Sequence, residues 1–328
     1  MASIAVLGAG AWGTAIACAL AQRHHLTLWT REASQAHALA ATRRNERYLP
    51  GIVLDAGIEI TADLAAAVAR AHHGLLVLAV PTAGLRETLH RMRGQPALPP
   101  IVWLCKGLER DSAKLAHEVV RDEMGSHPSG PLSGPSFAAE VARGLPTALT
   151  VAGSPEFCRW VTQIFHAGAL RIYSTDDVVG VEIGGAVKNV MAIATGISDA
   201  LGLGHNARAA LITRGLAEIG RMGAALGART ETFMGLAGVG DLILTCTGEL
   251  SRNRQVGMLL GRGVPLALAL ERIGHVAEGV WSAPAVAARA QAVGVEMPLT
   301  AAVCAVLDGR LTPRDALGQL LARDPKRE

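Results

Sequence analysis

The strongest constraint on the fold is a glycine pattern near the start of the chain. Gly8, Gly10 and Gly13 match G-x-G-x-x-G, directly after the apolar run Ser3–Leu7 and at the start of a helical pattern over Ala11–Gln22. In such a setting the first glycine permits a tight turn, the second lets backbone approach a pyrophosphate, and the third lets the helix pack on the strand. Because the positive end of the helix faces the pyrophosphate, we predict a dinucleotide site here.

The first half of the chain alternates short apolar runs with helical patterns. The predicted strands are Ser3–Leu7, Leu26–Trp29, Gly57–Thr61, Gly74–Val80, Ile101–Leu104, Leu132–Gly134, Pro146–Ala152 and Leu170–Tyr173. The predicted helices between them are Ala11–Gln22, Glu32–Thr42, Asp63–Ala71, Ala83–Met92 and Pro155–Phe165. This βαβ rhythm predicts a parallel, doubly wound sheet with helices on both faces, which is a Rossmann domain.

The second half of the chain has almost wholly helical periodicity, with glycine-rich turns such as Gly235–Gly240 between the helices. The predicted helices are Glu182–Leu201, Ala207–Leu226, Glu231–Met234, Ser251–Arg262, Pro265–Arg272, Ala283–Ala292, Leu299–Leu307 and Thr312–Leu321. We therefore expect an α/β protein with an NAD(P)-binding Rossmann domain over residues 1–180, followed by an all-α substrate and catalytic domain over residues 181–328.

Charge and cysteine content exclude several classes of partner. The 31 basic and 28 acidic residues are spread along the chain and form no basic stripe, so we expect neither nucleic acid nor an anionic membrane surface as a partner. After the glycine pattern no stretch offers about 18 uninterrupted apolar residues, so we expect no membrane insertion. Five scattered cysteines without a C-x-x-C pair are typical of reduced thiols, which predicts a cytoplasmic protein. The sequence has no H-E-x-x-H or similar spacing, so we predict no metal site.

The residues after the second predicted strand bear on the choice of cofactor. An NAD-restricted site usually has an acidic residue about 20 residues after the glycines. Here Thr30 and Arg31 follow the strand, and Glu32 comes only afterwards. Arg31 can receive a 2′-phosphate, which favours NADP slightly over NAD; the alternative is that Arg31 is merely solvated. Pro81, at the end of the fourth strand, is predicted to lie beside the nicotinamide ribose.

Polar residues also stand where packing alone would not require them. Lys106 follows a buried strand, at the edge where open α/β sheets bind ligands, and the loop Ser133–Ala138 is rich in small donors. Lys188 lies in an apolar helix, on a face that we interpret as leaving room for a ligand close to the backbone and that it shares with Gly184, Gly185, Met191 and Ala192.

A further polar cluster follows Asp241. Ser251, Arg252 and Asn253 stand at the predicted start of a helix, where such residues suit a phosphate group. Each feature has an ordinary alternative: the lysines would be solvated, Ser251 would be an N-cap and Asp241 a turn residue.

Taken together these segments resemble the NAD(P)-dependent glycerol-3-phosphate dehydrogenases of the bacterial biosynthetic type. The resemblance covers essentially the whole chain, and it is carried by GAGAWGTA (8–15), CKG (105–107), SGPSFAAE (133–140), GGAVKNVMAIATG (184–196), GVGDLILTCT (238–247), SRNR (251–254), HVAEG (275–279) and GVEMP (294–298). Ala11 stands where many members of the family have Ser.

The resemblance implies reversible reduction of dihydroxyacetone phosphate to sn-glycerol 3-phosphate, which supplies glycerophospholipid synthesis. It implies Lys188, Lys106 and Asp241 as catalytic residues, and a substrate site formed by Lys106, Gly134, Ser136, Lys188, Asp241, Ser251, Arg252 and Asn253. It implies cofactor contacts from Ala11, Trp12, Arg31, Lys106, Ala138, Arg252, Val276 and Glu278, besides the glycines. It also implies a homodimer, for which the residues themselves give no argument.

These roles agree with the chemistry of ketone reduction. The reaction needs an acid within hydrogen-bond reach of the carbonyl oxygen. A desolvated lysine beside another cation has a lowered pKa and can exchange its proton near neutral pH. We hypothesise that Lys188 is this acid, that Lys106 supplies the neighbouring charge and that Asp241 orients the pair.

Two other functions remain open from the sequence. One is a related dehydrogenase with a Rossmann and a helical domain that acts on a hydroxy acid of the 3-hydroxyisobutyrate or ketopantoate type. The other is a non-catalytic scaffold that senses NAD(P). Selection of a carboxylate would identify the first, whereas a scaffold has no reason to retain both Lys106 and Lys188.

Overall fold

The computed structural model describes residues 1–95, 97–166, 168–274 and 276–322. The chain forms two compact units. The first unit comprises Met1–Lys106 and Leu115–Glu182, and the second comprises Gly107–Lys114 and the chain from Ile183 onward. The boundary predicted at residue 180 placed Gly107–Lys114 in the first domain, whereas the structure places this segment in the second unit.

The first unit contains the strands and the helices that connect them. Its strands are β1 (Ser3–Leu7), β2 (His25–Trp29), β3 (Arg44–Asn45), β4 (Leu49–Val53), β5 (Glu59–Thr61), β6 (Leu75–Leu78), β7 (Ile101–Trp103), β8 (Ser129–Ser133), β9 (Thr147–Ala152) and β10 (Leu170–Thr175). Its helices are α1 (Ala11–Ala21), α2 (Ala33–Thr42), α3 (Leu64–Arg70), α4 (Thr82–Met92), α5 (Ala116–Met124), α6 (Ala138–Ala142) and α7 (Pro155–Phe165).

Eight strands form one sheet in the order β10-β9-β8-β7-β6-β1-β2-β5. Alternate residues of β1 belong to different apolar clusters, Ile4 and Val6 to one and Ala5 and Leu7 to the other. Both faces of the sheet are therefore covered, as expected for strands joined by helical crossovers. The predicted doubly wound Rossmann fold is confirmed.

One pair of strands departs from the predicted parallel arrangement, because β8 and β9 run antiparallel. Only α6, a helix of five residues, lies between them. At 1.5 Å per residue this helix covers about 7.5 Å, whereas a strand of five residues is about 16 Å long. The helix alone is too short to carry the chain back along β8, and the antiparallel pairing shows that β9 starts from the edge where β8 ends.

Four elements of the first unit were missed by the sequence analysis: α5, α6 and the hairpin β3–β4. The hairpin contains Pro50 and Gly51 and several charged residues, so it shows no alternation of polar and apolar positions. The helices α5 and α6 have nine and five residues, which is too short for a clear helical period.

The described part of the second unit is helical. Its helices are α8 (Val178–Ala200), which begins in the first unit, α9 (Gly204–Ala225), α10 (Thr230–Phe233), α11 (Asp241–Thr247), α12 (Arg252–Gly261), α13 (Leu266–Ile273), α14 (Glu278–Ala292), α15 (Pro298–Leu307) and α16 (Pro313–Leu321), with a π-helical turn at Leu236–Gly240. By length and hydropathy α8 resembles a membrane span, but 83% of its most apolar window is buried within the protein, as in a core helix.

A buried carboxylate lies at the end of the first unit. Glu182 is 7% exposed and accepts hydrogen bonds from Trp103 Nε1 at 3.2 Å, from the His117 amide at 2.9 Å and from His117 Nδ1 at 2.5 Å. Burial by itself lowers the pKa of His117, but the hydrogen bond and the charge of Glu182 outweigh it, so the pKa is raised. Burial raises the pKa of Glu182.

We predict that this pair makes stability fall with rising pH. Because the pKa of folded His117 exceeds its unfolded value, the stabilisation is complete below about pH 6.5 and is lost as the pH rises through the folded pKa. The variant Glu182→Gln removes the carboxylate charge that raises the pKa of His117. Its destabilisation, measured by urea unfolding, should be larger at pH 6 than at pH 9; an equal loss at both values would contradict the pairing.

Candidate active site

Five loops of the first unit meet at one edge of the sheet. The strands β8, β7, β6, β1 and β2 are neighbours and parallel, so their carboxyl ends lie side by side. The residues that follow these ends are those predicted for ligand binding, namely Gly134 to Ala138, Lys106, Pro81, the glycine loop and Arg31. The first unit therefore gathers its predicted site residues at the edge where open α/β sheets bind ligands.

The three glycines of the loop have different reasons to be glycine. Gly8 has a φ of +124°, and a Cβ there would lie 2.7 Å from the oxygen of Ala79. A Cβ on Gly13 would lie 1.9 Å from the oxygen of Gly8, so both positions are set by packing. Gly10 differs, because no described atom lies within 4 Å of a Cβ built there. This open side at the start of α1 fits a pyrophosphate approaching the backbone.

The other predicted cofactor residues of the first unit lie around this loop. Ala11 and Trp12 form the first turn of α1, and Ala138 begins α6, which packs against α1. Arg31 is exposed directly after β2, and Pro81 is the exposed N-cap residue of α4. Their positions are compatible with the predicted contacts, which stay predictions.

A second group of predicted residues surrounds one carbonyl. Lys106 is half-buried, and its Nζ donates a hydrogen bond to the Gly134 oxygen at 3.1 Å. The Ser136 hydroxyl donates to the same oxygen at 2.8 Å. Gly134 has a φ of +141°, which side chains rarely adopt, so glycine is needed to present this carbonyl. The structure thus brings these three residues together.

In the second unit, Lys188 lies in a buried polar group. Its side chain is 8% exposed, and Nζ donates to the Asp241 carboxylate and, at 3.0 Å, to Thr245 Oγ1. The Thr245 hydroxyl in turn donates to the Asp241 main-chain oxygen at 2.6 Å. Asp241 and Thr245 face Lys188 together because they are one helical turn apart in α11.

This arrangement corrects four interpretations of the sequence. Lys188 is not a solvated lysine, and Asp241 begins a helix instead of forming a turn. The predicted turn Gly235–Gly240 is mostly π-helical. The room expected beside Gly184 is filled, since a Cβ there would lie 2.3 Å from the Ala237 oxygen. Gly184 therefore serves close packing of two backbones and leaves no space for a ligand on that side.

Two of the three predicted residues at the start of α12 make hydrogen bonds that hold the local structure. Ser251 is an N-cap, as its alternative interpretation held, and accepts from the Arg254 amide at 3.3 Å. The Asn253 side chain donates to Asn189 Oδ1 and accepts from the Gly279 amide, both at 2.9 Å. Arg252 is exposed beside them. The local structure thus fixes the helix start and leaves Arg252 as the cation available to an anion.

The remaining predicted residues, Val276 and Glu278, lie at the start of α14. Val276 is 44% exposed, and Glu278 is the first residue of that helix. His275, the first residue of the HVAEG motif, lies outside the described residues.

Thr245 is the site residue that the sequence analysis missed. It is 6% exposed and accepts a hydrogen bond from Lys188 Nζ at 3.0 Å. Its signal was the four-residue spacing from Asp241, which has meaning only if α11 is recognised as a helix.

We predict that Thr245→Val destabilises the protein by about 1–3 kcal/mol, because it leaves a buried donor of Lys188 without its acceptor. Thr247→Val is the matched control: the Thr247 hydroxyl also donates to a main-chain oxygen one turn earlier, but it is exposed. Urea unfolding followed by circular dichroism measures both. Equal losses of unfolding free energy would contradict a special role for Thr245.

The chain is similar to known proteins over nearly its whole length. Two family models match the chain: the N-terminus of NAD-dependent glycerol-3-phosphate dehydrogenase over residues 3–158, and its C-terminus over residues 177–318. The chain is 58% identical to a glycerol-3-phosphate dehydrogenase [NAD(P)+] of Methylibium petroleiphilum, covering 99% of this chain and 98% of the relative. It is 56% identical to that of Dechloromonas aromatica, covering 99% of each.

A solved structure shows the same architecture. The crystal structure of glycerol-3-phosphate dehydrogenase from Coxiella burnetii superposes with a TM-score of 0.94 at 43% identity, covering 98% of both chains.

Proposed function

Because the chain belongs to the NAD-dependent glycerol-3-phosphate dehydrogenase family, we propose that it reduces dihydroxyacetone phosphate reversibly to sn-glycerol 3-phosphate with NADPH or NADH. In the cell this reaction supplies glycerophospholipid synthesis. The observation that carries the proposal is the buried group of Lys188, Asp241 and Thr245, which provides a held proton donor in an apolar helical environment.

Lys188 is the proton donor to the C2 oxygen of the ketone. The nicotinamide, when bound, supplies the hydride to carbon, so the protein must supply a proton at oxygen. Asp241 and Thr245 accept hydrogen bonds from the ammonium and so fix its orientation. In the reverse direction the same amine takes the proton back.

Arg252 binds the substrate phosphate. It is exposed at the start of α12, where main-chain amides and the helix dipole favour an anion. Ser251 and Asn253 contribute mainly by fixing this helix start. Binding energy from the phosphate, which does not react, can hold the small ketone in place for the reaction.

The first unit binds the cofactor, and its Lys106, Gly134 and Ser136 are proposed contacts of the substrate. Its glycine loop holds the pyrophosphate, as the open side of Gly10 supports. Arg31 receives the 2′-phosphate, which favours NADPH slightly. The remaining cofactor contacts in the proposal are Ala11, Trp12, Pro81, Lys106, Ala138, Arg252, Val276 and Glu278. We further propose that the protein is cytoplasmic and a homodimer.

The test of the reaction is oxidation of NADPH and of NADH with dihydroxyacetone phosphate. Unphosphorylated dihydroxyacetone and ketopantoate are the controls. We expect turnover only with the phosphorylated ketone, because the site selects a phosphate. Turnover with ketopantoate alone would identify a hydroxy-acid dehydrogenase, and cofactor binding without turnover of any substrate would identify a sensing scaffold.

Two substitutions separate the chemical role from the binding role. Lys188→Ala should lower kcat by about 10²–10⁴-fold, the range for loss of a general acid. Arg252→Ala should raise the KM for dihydroxyacetone phosphate by about 10–100-fold, as expected for a hydrogen bond to a charged group, with a small change in kcat. Arg262→Ala, an exposed arginine at the other end of α12, is the control. Equal losses of kcat from both variants, with KM unchanged, would refute the assignment.

A further inference from the structure

One main-chain carbonyl of the glycine loop is held by two side-chain amides from different elements. The Ala9 oxygen accepts a hydrogen bond from Gln35 Nε2 at 3.0 Å and from Asn45 Nδ2 at 2.9 Å. Ala9 stands between Gly8 and Gly10, and both amides belong to the first unit. A carbonyl has two lone pairs, and here both are used.

Gln35 connects the two turns that the cofactor is expected to contact. It lies in the first turns of α2 and is half-buried, and its Oε1 accepts a hydrogen bond from the Thr30 hydroxyl. Thr30 is buried directly before Arg31. The single side chain of Gln35 therefore ties the loop after β1 to the turn after β2.

Asn45 holds the same carbonyl from the hairpin β3–β4. It is 3% exposed, and its amide also donates to Thr14 Oγ1 at 2.7 Å. Thr14 is fully buried in the first turns of α1. Asn45 thus joins the loop to the helix that follows it, and this contact gives the hairpin a role in the dinucleotide-binding half.

The two hydrogen bonds to the Ala9 oxygen determine the orientation of the next amide. Because the peptide bond is planar and trans, the direction of the Ala9 carbonyl fixes the opposite direction of the Gly10 N–H. Gly10 itself does little to restrain the loop: it has no side chain, and a Cβ built there would meet no described atom within 4 Å. The restraint on this peptide therefore comes from the two amide side chains.

We propose that Gln35 and Asn45 are positioning residues for the nicotinamide dinucleotide. They hold the glycine loop so that the free N–H groups at the start of α1 face the pyrophosphate before it binds. Pre-organisation of this kind strengthens binding because the loop does not have to be ordered by the ligand. The inference rests on the cofactor use in the proposed function and adds two residues to it.

The test uses the uncharged variants Gln35→Met and Asn45→Leu, which remove the donors at similar side-chain size without placing a charge near the phosphates. NADPH and NADH affinities are measured by fluorescence titration without substrate, and steady-state kinetics follow. Each variant should bind both cofactors about tenfold more weakly, the effect of losing one well-placed hydrogen bond. At saturating cofactor, kcat and the KM for dihydroxyacetone phosphate should stay within about twofold of the wild type, because neither residue is proposed to contact substrate.

The matched control is Thr147→Val. The buried Thr147 in β9 donates to the Leu145 oxygen at 3.1 Å, so the variant removes a side-chain bond to a carbonyl of the same unit that is not part of the glycine loop. Unchanged cofactor affinity in Gln35→Met would overturn the proposal even if Asn45→Leu did not fold. An equal loss in Thr147→Val would also overturn it, since the effect would then be general destabilisation. Wild-type binding of NADPH without turnover of dihydroxyacetone phosphate would instead refute the proposed function alone.

Discussion

The burial of the Lys188 ammonium is the constraint on which the helical half depends. An ammonium removed from water costs several kcal/mol unless a charged partner and further acceptors satisfy it. Asp241 and Thr245 provide these, and they can do so only if α11 lies directly against α8. Gly184, one turn before Lys188, allows this approach, since any larger residue would collide with the Ala237 oxygen. Ala237 belongs to the π-helical turn that directly precedes Asp241, so this turn is the backbone that packs against Gly184.

The Rossmann half solves a different problem, that of presenting main-chain groups to an anion. Parallel strands bring the ends of their loops to one edge without any special side chain. The loop between β1 and α1 must also be held in place. Its glycines let a ligand approach the backbone closely, but glycine is the residue with the greatest conformational freedom. Packing restrains Gly8 and Gly13, and the amides of Gln35 and Asn45 restrain the peptide before Gly10.

Much of the architecture could be predicted because it depends on local patterns. The strand-glycine-helix order at the start of the chain and the period of the later helices indicated both halves correctly. The failures share a cause, since α6 and α11 are too short to show a period and the β3–β4 hairpin has no alternation. Missing α11 hid Thr245, whose role depends on lying one turn after Asp241.

The sequence by itself determined which residue types stand at the strand ends and helix starts, because turns, caps and periodicity are properties of neighbouring residues. It also carried the resemblance that named the reaction. Only the tertiary structure decided which side chains meet: Lys188 with residues 53 and 57 positions away, and Ala9 with donors 26 and 36 positions away. Pairings at such separations follow from how elements pack, which no local pattern records.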